Sequence, residues 1–262
     1  MTSRNWTIER TARELAAAER SRTDRGPITD EWPDLDIASA YRVQDLVVNR
    51  RVAAGESIVG IKLGLTSHAK QQRMGVDSPL TGWLTDGMVM PYGVPLNVGD
   101  LIHPRIEPEI VFVLGKRLEG PGITAARAMS AVAAVHGGVE IIDSRYRDFR
   151  FTLTDVIADN ASSARFVVGP VAANPQHLDL SLQGCLVEVD GEVVDSATGA
   201  AVQGHPAEAL ALAANDLGRR GIALEPGWLI LTGGMTDAVT AVPGHHIAAR
   251  FADLGTVTVA CR

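Results

Sequence analysis

Cysteine is almost absent from this chain. Cys185 and Cys261 are the two cysteines among 262 residues, and neither cysteine nor histidine shows zinc-type spacing. A disulfide framework needs several paired cysteines, and a zinc site needs closely spaced ligands. We therefore exclude both and expect two inert thiols in a reducing cytoplasm.

Positive charge is also scarce. Lys and Arg number 24 against 31 Asp and Glu, which gives a net charge of −7. Because nucleic-acid binding needs clustered cations, we expect no nucleic-acid partner. No apolar run approaches the ~20 residues of a membrane span, and the charged N-terminus lacks the apolar core of a secretion signal. We expect a cytoplasmic protein that does not bind membranes.

Several enzyme motifs are missing as well. The glycine patterns GxGxxG and GxxxxGK[ST] do not occur, so nothing indicates a bound nucleotide. No GxSxG elbow marks a nucleophilic serine. With 46% hydrophobic and 21% charged residues, the composition is that of an ordinary globular protein.

Helical periodicity is confined to a few stretches. Apolar residues recur at helical spacing over 4–20 and 37–54, and again over about 124–135 and 206–219. Beyond Gly55, short runs rich in Val, Ile and Leu alternate with Gly and Pro and predict strands, among them the run at 87–96. We predict an α+β fold with a helical part over 1–75 and a β-rich body over 76–262, together one compact unit.

The segment IHPRIEPEIVFVL contains two acidic residues at strand spacing. Glu107 and Glu109 lie two residues apart just before the apolar run Ile110–Leu114, so a strand points both side chains to one face. Two carboxylates this close repel unless a proton or a cation lies between them. A divalent metal and a solvated strand edge both explain such a pair taken alone.

A third carboxylate favours the metal. Glu140 lies within the apolar strand sequence GGVEIID, and glutamate is rarely buried without a partner. Mg²⁺ or Mn²⁺ shared with Glu107 and Glu109 would satisfy all three. Asp143 and Arg145 follow at once, and we expect them to form an ion pair of their own.

Other candidate residues surround strand ends. Lys62 lies among apolar residues in VGIKLGL. It serves as an enclosed anchor for a substrate carboxylate, as a proton carrier with a lowered pKa, or as a lysine whose stem extends to water. Ser162 precedes a strand in DNASS and offers a hydroxyl, whereas Asp159 and Asn160 are turn-forming residues. For substrate contacts we predict Leu65, Asp77, Arg105, Thr232 and Gly233, the last two from the sequence LTGG, whose glycines permit close backbone approach.

Six segments taken in order give the chain a family resemblance. GIKLGLTSHAKQQRMGV, HPRIEPEIVFVLG, VEIIDSRYRDFRF, DVIADNASSARFVVG, GAAVQGHPAEAL and LTGGMTDAV resemble the hydratase/decarboxylase branch of the fumarylacetoacetate hydrolase superfamily. The resemblance implies a mixed, rolled β-sheet covered by an N-terminal helical part. It also implies Mg²⁺ or Mn²⁺ held by Glu107, Glu109 and Glu140, with catalytic roles for Lys62 and Ser162. One departure is the pair Gly137–Gly138, where members of this branch usually have a Pro-Ala type pair.

The resemblance implies a small 2-oxo dicarboxylate as substrate. One reaction of this branch is decarboxylation of 2-oxohex-3-enedioate in aromatic meta-cleavage degradation; the other is hydration of 2-hydroxypenta-2,4-dienoate. The form SRYRDFRF favours decarboxylation, because hydratases more often have an SRI-x-x-W form there. A non-catalytic subunit paired with a homologous hydratase or decarboxylase is an alternative of another class, and we expect a homo-oligomer. An acylpyruvate hydrolase is disfavoured, since we find no His–Glu pair to activate water.

Overall fold

Two helices open the part of the chain that the structure describes. The structure is a computed structural model, and it describes residues 6–67, 71–72, 75–76 and 79–262. Helix α1 (Ile8–Ser21) begins after Thr7 and helix α2 (Ile37–Ala53) after Asp36, and each of these two side chains accepts a backbone N–H of the first turn. Both helices lie where the helical periodicity predicts them.

Eleven strands and three more helices follow in the described residues. The strands are β1 (Ile58–Gly64), β2 (Leu80–Thr85), β3 (Arg105–Leu114), β4 (Val132–Ile142), β5 (Ser163–Val168), β6 (Gly184–Val189), β7 (Glu192–Thr198), β8 (Leu229–Gly234), β9 (Val239–Thr240), β10 (His246–Phe251) and β11 (Gly255–Ala260). The helices are α3 (Ala125–Met129), α4 (Leu153–Ala158) and α5 (Pro206–Arg219).

Seven of these strands form one mixed sheet. Its order is β2-β1-β8-β3-β4-β5, with β9 paired to β3, and β1 with β8 is its parallel pair. The sheet rolls until its two ends meet: Val89, just after β2, forms a bridge with Phe166 of β5, and the Met90 N–H donates to the Phe166 carbonyl at 2.8 Å. The mixed, rolled sheet and the helical N-terminal part are the predicted fold class, which is confirmed.

The remaining strands and helices cover the roll. A second sheet, of order β11-β10-β6-β7, packs on β4, while α5 packs on α3 and β8. Helix α2 contacts α1 on one side and α4 on the other, around Val43, Tyr146 and Ile157. Helix α2 therefore packs beside α4 and the segment with Ser162 that follows α4.

Two local predictions were wrong. The helix predicted over 124–135 ends at Met129, because β-branched Val132 and Val135 pair with β3 as the first residues of β4. The strand predicted at 87–96 is a short 3₁₀ turn and isolated bridges, in a segment that contains Pro91 and Pro95. Strand β2 was not predicted.

The division of the chain near residue 75 stays a prediction. Strand β1 precedes that point and pairs with β2 and β8 in the large sheet. In the part of the chain that the structure describes, no helix is both long and apolar enough to cross a membrane.

Candidate metal centre and active site

Three carboxylates converge where β3 and β4 pair. Glu107 lies directly opposite Glu140 in the antiparallel register, and Glu109 points to the same face two residues farther on. One carboxylate oxygen from each of the three lies within 4.8 Å of the others. Glu109 and Glu140 are fully buried and Glu107 is half-buried. The predicted acidic group therefore forms a single cluster.

Lys62 reaches this cluster across the roll. In a flat sheet its strand β1 would lie three strand spacings from β4, about 14 Å. Instead, Lys62 Nζ lies 2.9 Å from Glu140 Oε2, and Lys62 is only 3% exposed. The alternative of a lysine that extends to water is wrong.

The charges of the cluster remain unbalanced. Lys62 faces three carboxylates, and Glu109 Oε1 and Glu140 Oε1 accept no hydrogen bond from any described residue. Burial, with Glu140 as the next cause, raises the pKa of Glu109 well above its usual value, and burial also raises the pKa of Glu140. An all-oxygen donor set with buried, unpartnered oxygens fits Mg²⁺ or Mn²⁺.

Lys62 itself stays charged. Burial alone would lower its pKa, but the carboxylates of Glu140, Glu107 and Glu109 outweigh burial and raise the pKa of Lys62 above its usual value. The alternative of a proton carrier with a lowered pKa is therefore wrong, and the side chain is suited to act as a fixed cation.

Two glycines allow β8 to approach the cluster. The Gly233 N–H donates to Glu109 Oε2 at 2.6 Å, and at a φ of +113° a Cβ there would lie 2.0 Å from Thr66 Oγ1. A Cβ on Gly234 would lie 3.0 Å from the carboxyl carbon of Glu107. The backbone of β8 thus approaches two carboxylates of the cluster, and the close approach to a ligand predicted from LTGG stays a prediction.

A cavity of about 190 Å³ lies beside the cluster. Lys62, Glu107 and Ser162 line it together with apolar side chains that include Leu65, Phe149 and Phe151. Ser162 is 3% exposed, and its hydroxyl has no hydrogen-bond partner among the described residues. A charged amine, a carboxylate and a free hydroxyl therefore face one cavity.

The predicted substrate-binding residues have different environments. Leu65 lines the cavity. The Arg105 guanidinium lies 4.1 Å from the centre of the Phe149 ring in a cation–π contact, and Phe149, not Arg105, lines the cavity. The Thr232 hydroxyl donates to the Ile110 carbonyl at 2.8 Å, so that side chain is bound within the sheet. Asp77 lies outside the described residues. Substrate contact at these positions, and at Gly233, stays a prediction.

The expected ion pair between Asp143 and Arg145 is wrong. The Asp143 carboxylate accepts the backbone N–H groups of Ile102 and His103, and Arg145 pairs with Asp159 instead. Reasoning from the sequence also missed Phe149 and Phe151 as cavity walls. Phe149 ends a 3₁₀ turn with a positive φ of 55°, a conformation that the spacing of the two residues does not reveal.

Comparison with known proteins identifies the family. A family model described as Fumarylacetoacetate (FAA) hydrolase C-terminal matches residues 57–261. The chain belongs to the fumarylacetoacetate hydrolase family. Two relatives within this family bear different activities in their names. The 4-oxalocrotonate decarboxylase of Pseudomonas sp. (strain CF600) is 44% identical over 94% of each chain. The 2-hydroxyhexa-2,4-dienoate hydratase of Comamonas testosteroni is 38% identical over 96% of each chain.

A solved structure shares the whole architecture of this family member. The 4-oxalocrotonate decarboxylase of Pseudomonas putida G7, complexed with magnesium and adipate, superposes with a TM-score of 0.95 at 41% identity, covering 97% of each chain. The rolled sheet and its helical cover are therefore features of the family branch.

Close packing surrounds Gly137 and Gly138 on β4. A Cβ on Gly137 would lie 2.4 Å from the Phe251 ring, and one on Gly138 would lie 2.6 Å from a methyl group of Val111. The second sheet thus contacts β4 at a point where only hydrogen fits. Gly138 pairs with Glu109 and precedes Glu140 by two residues, so this contact helps to set the position of both carboxylates.

Proposed function

We propose that this chain is a divalent-metal-dependent decarboxylase. Its substrate would be 2-oxohex-3-enedioate (4-oxalocrotonate), and its products 2-hydroxypenta-2,4-dienoate and carbon dioxide, in aromatic meta-cleavage degradation. The observation that carries the proposal is the cluster of Glu107, Glu109 and Glu140 around Lys62, with Glu107 and Lys62 lining the adjacent cavity. The 44% identity to a decarboxylase over 94% of each chain supports the same reaction.

The three glutamates would hold Mg²⁺ or Mn²⁺. When bound, the ion supplies a Lewis acid that draws electrons toward the 2-oxo group of the substrate. Glu109 is held in place by the Gly233 N–H and Glu140 by Lys62, so two of the three ligands are preorganised. Glu107 lines the cavity and presents its carboxylate to the substrate side.

The cavity residues would orient the substrate and handle its protons. Lys62, whose pKa the neighbouring carboxylates raise, would place a positive charge near the conjugated oxo acid, where electrons accumulate as the distal carboxyl group departs as carbon dioxide. The Ser162 hydroxyl is free to bond a substrate oxygen. Phe149 and Phe151 form an apolar wall of the cavity. Beside such a wall an ionised carboxylate is poorly solvated, whereas neutral carbon dioxide loses little by leaving water, so the wall would favour loss of carbon dioxide.

Hydration is the second candidate reaction. A hydratase relative is 38% identical over 96% of each chain, and the same carboxylate cluster would serve both reactions. Three further statements are proposals: that the chain binds a homologous hydratase or decarboxylase, that it forms a homo-oligomer, and that it is cytoplasmic.

Two incubations separate the reactions. In the first, the purified protein is mixed with Mg²⁺, 2-hydroxymuconate and its tautomerase, and carbon dioxide and ultraviolet absorbance are followed; we expect carbon dioxide in stoichiometric amount. In the second, 2-hydroxypenta-2,4-dienoate replaces 2-hydroxymuconate. Its consumption, with no carbon dioxide from the first mixture, would select the hydratase, and turnover of neither compound would leave the role of a non-catalytic partner.

Metal dependence has its own control. Exhaustive chelation should abolish turnover and added Mg²⁺ or Mn²⁺ should restore it, while full turnover without metal would refute the proposal. Glu107→Gln should lose activity without unfolding, compared with Glu192→Gln on an exposed part of β7.

A further inference from the structure

The segment that carries Ser162 has an unusual backbone. Asn160, Ala161 and Ser162 all have positive φ angles, 49°, 54° and 58°. Residues other than glycine rarely adopt this left-handed conformation, and three in succession persist only when their surroundings hold them. The contacts around the segment should therefore show what holds it.

Strand β2 holds one side of the segment. The Asn160 side chain accepts the Trp83 N–H at 2.7 Å and donates to the Trp83 carbonyl at 2.9 Å. Strand β2 stands at the end of the sheet order, and these two bonds satisfy the Trp83 N–H and carbonyl on the side of β2 that faces away from β1. It fixes the start of the left-handed run but contacts neither Ser162 nor Ser163.

Arg145 holds the other side. It is 5% exposed, and its guanidinium contacts both ends of the segment: Nε donates to the Asp159 carboxylate, Nη2 to the Asp159 carbonyl, and Nη1 to the Ser163 carbonyl at 3.4 Å. Nη1 also donates to the Asp143 carbonyl at 2.6 Å, just beyond the end of β4. One planar group therefore ties the segment to the strand that carries Glu140.

These contacts determine where the Ser162 hydroxyl lies. The Ser162 carbonyl accepts the Asp143 N–H at 2.8 Å, and the Ser162 N–H donates to the Asp159 carbonyl at 2.9 Å. The backbone of Ser162 is thus fully bonded while its hydroxyl lines the cavity without a partner. Arg145 lines no part of that cavity.

We propose that Arg145 is a positioning residue for turnover, which acts by holding the Asp159–Ser163 segment so that the Ser162 hydroxyl faces the substrate. This inference rests on the proposed function only for its kinetic test. Lysine carries the same charge but lacks the planar fork that binds a carboxylate and several carbonyls at once. Arg145→Lys is therefore the informative variant. Arg147→Lys is its matched control, because Arg147 is exposed and pairs with Asp24.

A double-mutant cycle measures whether Arg145 acts through Ser162. We expect Arg145→Lys to lower kcat by roughly 10- to 100-fold, as misplacement of a substrate-positioning group does, with KM and Mg²⁺ affinity within about twofold of wild type. In the Ser162→Ala background the same substitution should cost less than about threefold. Independent, multiplicative losses, or a loss of Mg²⁺ affinity as large as the loss of kcat, would overturn the proposal.

Hydrogen exchange tests the same idea without turnover. Arg145→Lys should speed exchange of the amides of 159–163 and leave those at the centres of β3 and β4 unchanged; unchanged exchange in 159–163 would refute the proposal. If Arg145→Lys does not fold, Asp159→Asn, which turns one acceptor into a donor facing Arg145, should give the same exchange pattern and a lower kcat. Wild-type protein that turned over neither substrate would refute the proposed function, and the exchange result would still decide the role of Arg145.

Discussion

Replacing Glu109 by glutamine is expected to stabilise the metal-free protein while removing its response to metal. Glu109 is fully buried, and one of its oxygens has no hydrogen-bond partner among the described residues. Glutamine has the same shape, and its carbonyl oxygen can still accept the Gly233 N–H. The substitution therefore removes a buried charge without opening a cavity, and it removes one ligand of the proposed metal.

The size of the effect follows from the spacing of the cluster. Two unit charges at the 4.8 Å upper limit of the cluster's oxygen spacing repel by roughly 3.5 kcal/mol at an effective dielectric constant near 20. Protonation relieves part of this repulsion in the metal-free protein, because burial and the charge of Glu140 raise the pKa of Glu109. We therefore expect the free energy of unfolding to rise by about 1–3 kcal/mol in Glu109→Gln.

The response of the wild type to metal should be of similar size. Mg²⁺ at 100 times its Kd adds about 2.7 kcal/mol to the free energy of unfolding. For a chain of this length that corresponds to a rise of roughly 5–10 °C in Tm. The variant should show almost none of this rise.

The assay is a set of thermal and urea unfolding curves in EDTA and in saturating Mg²⁺. Glu192→Gln, exposed on β7, controls for the chemical change alone. A Glu109→Gln protein that was less stable than wild type in EDTA would show that the carboxylate has a structural role. One that kept the full Mg²⁺ shift would show that Glu109 is not a ligand.

Three further outcomes are expected. Lys62→Met leaves Glu140 buried without a cation, so it should lower the free energy of unfolding in EDTA by about 3–5 kcal/mol. Urea unfolding should show that Mg²⁺ recovers part of this loss, although turnover is not recovered. A variant as stable as wild type in EDTA would contradict the pairing of Lys62 with Glu140. Because burial raises the pKa of Glu109, its protonated form favours the folded state at low pH, and this contribution is lost as pH rises through the raised pKa. Stability of the metal-free protein should therefore fall, and Mg²⁺ affinity rise, as the pH increases above the ordinary pKa of glutamate. Calorimetry in two buffers should show proton release on Mg²⁺ binding, and a pH-independent affinity would contradict this. Gly137→Ala should destabilise the fold by about 1–3 kcal/mol in urea unfolding, because its Cβ meets the Phe251 ring, and an unchanged midpoint would show that the second sheet can shift.

Local spacing was enough to predict much of this protein. Strand alternation places Glu107 and Glu109 on one face, and the structure has them so. Helical periodicity predicted α1, α2 and α5 closely. It failed at 124–135, because pairing with β3 overrode a weak helical pattern at Val132 and Val135.

The sequence by itself thus determined which residues are candidates for the chemistry, since the acidic and basic side chains stand within or beside apolar strand runs. It did not determine which of them meet. Only the antiparallel register sets Glu107 opposite Glu140, and only the roll of the sheet brings Lys62 from β1 within 2.9 Å of Glu140. The partner of Arg145 was likewise decided by tertiary structure, because Asp159 lies beside it through the packing of α4 against the sheet and not through spacing along the chain. Register and roll depend on contacts between residues distant in sequence, which no local pattern of one chain encodes.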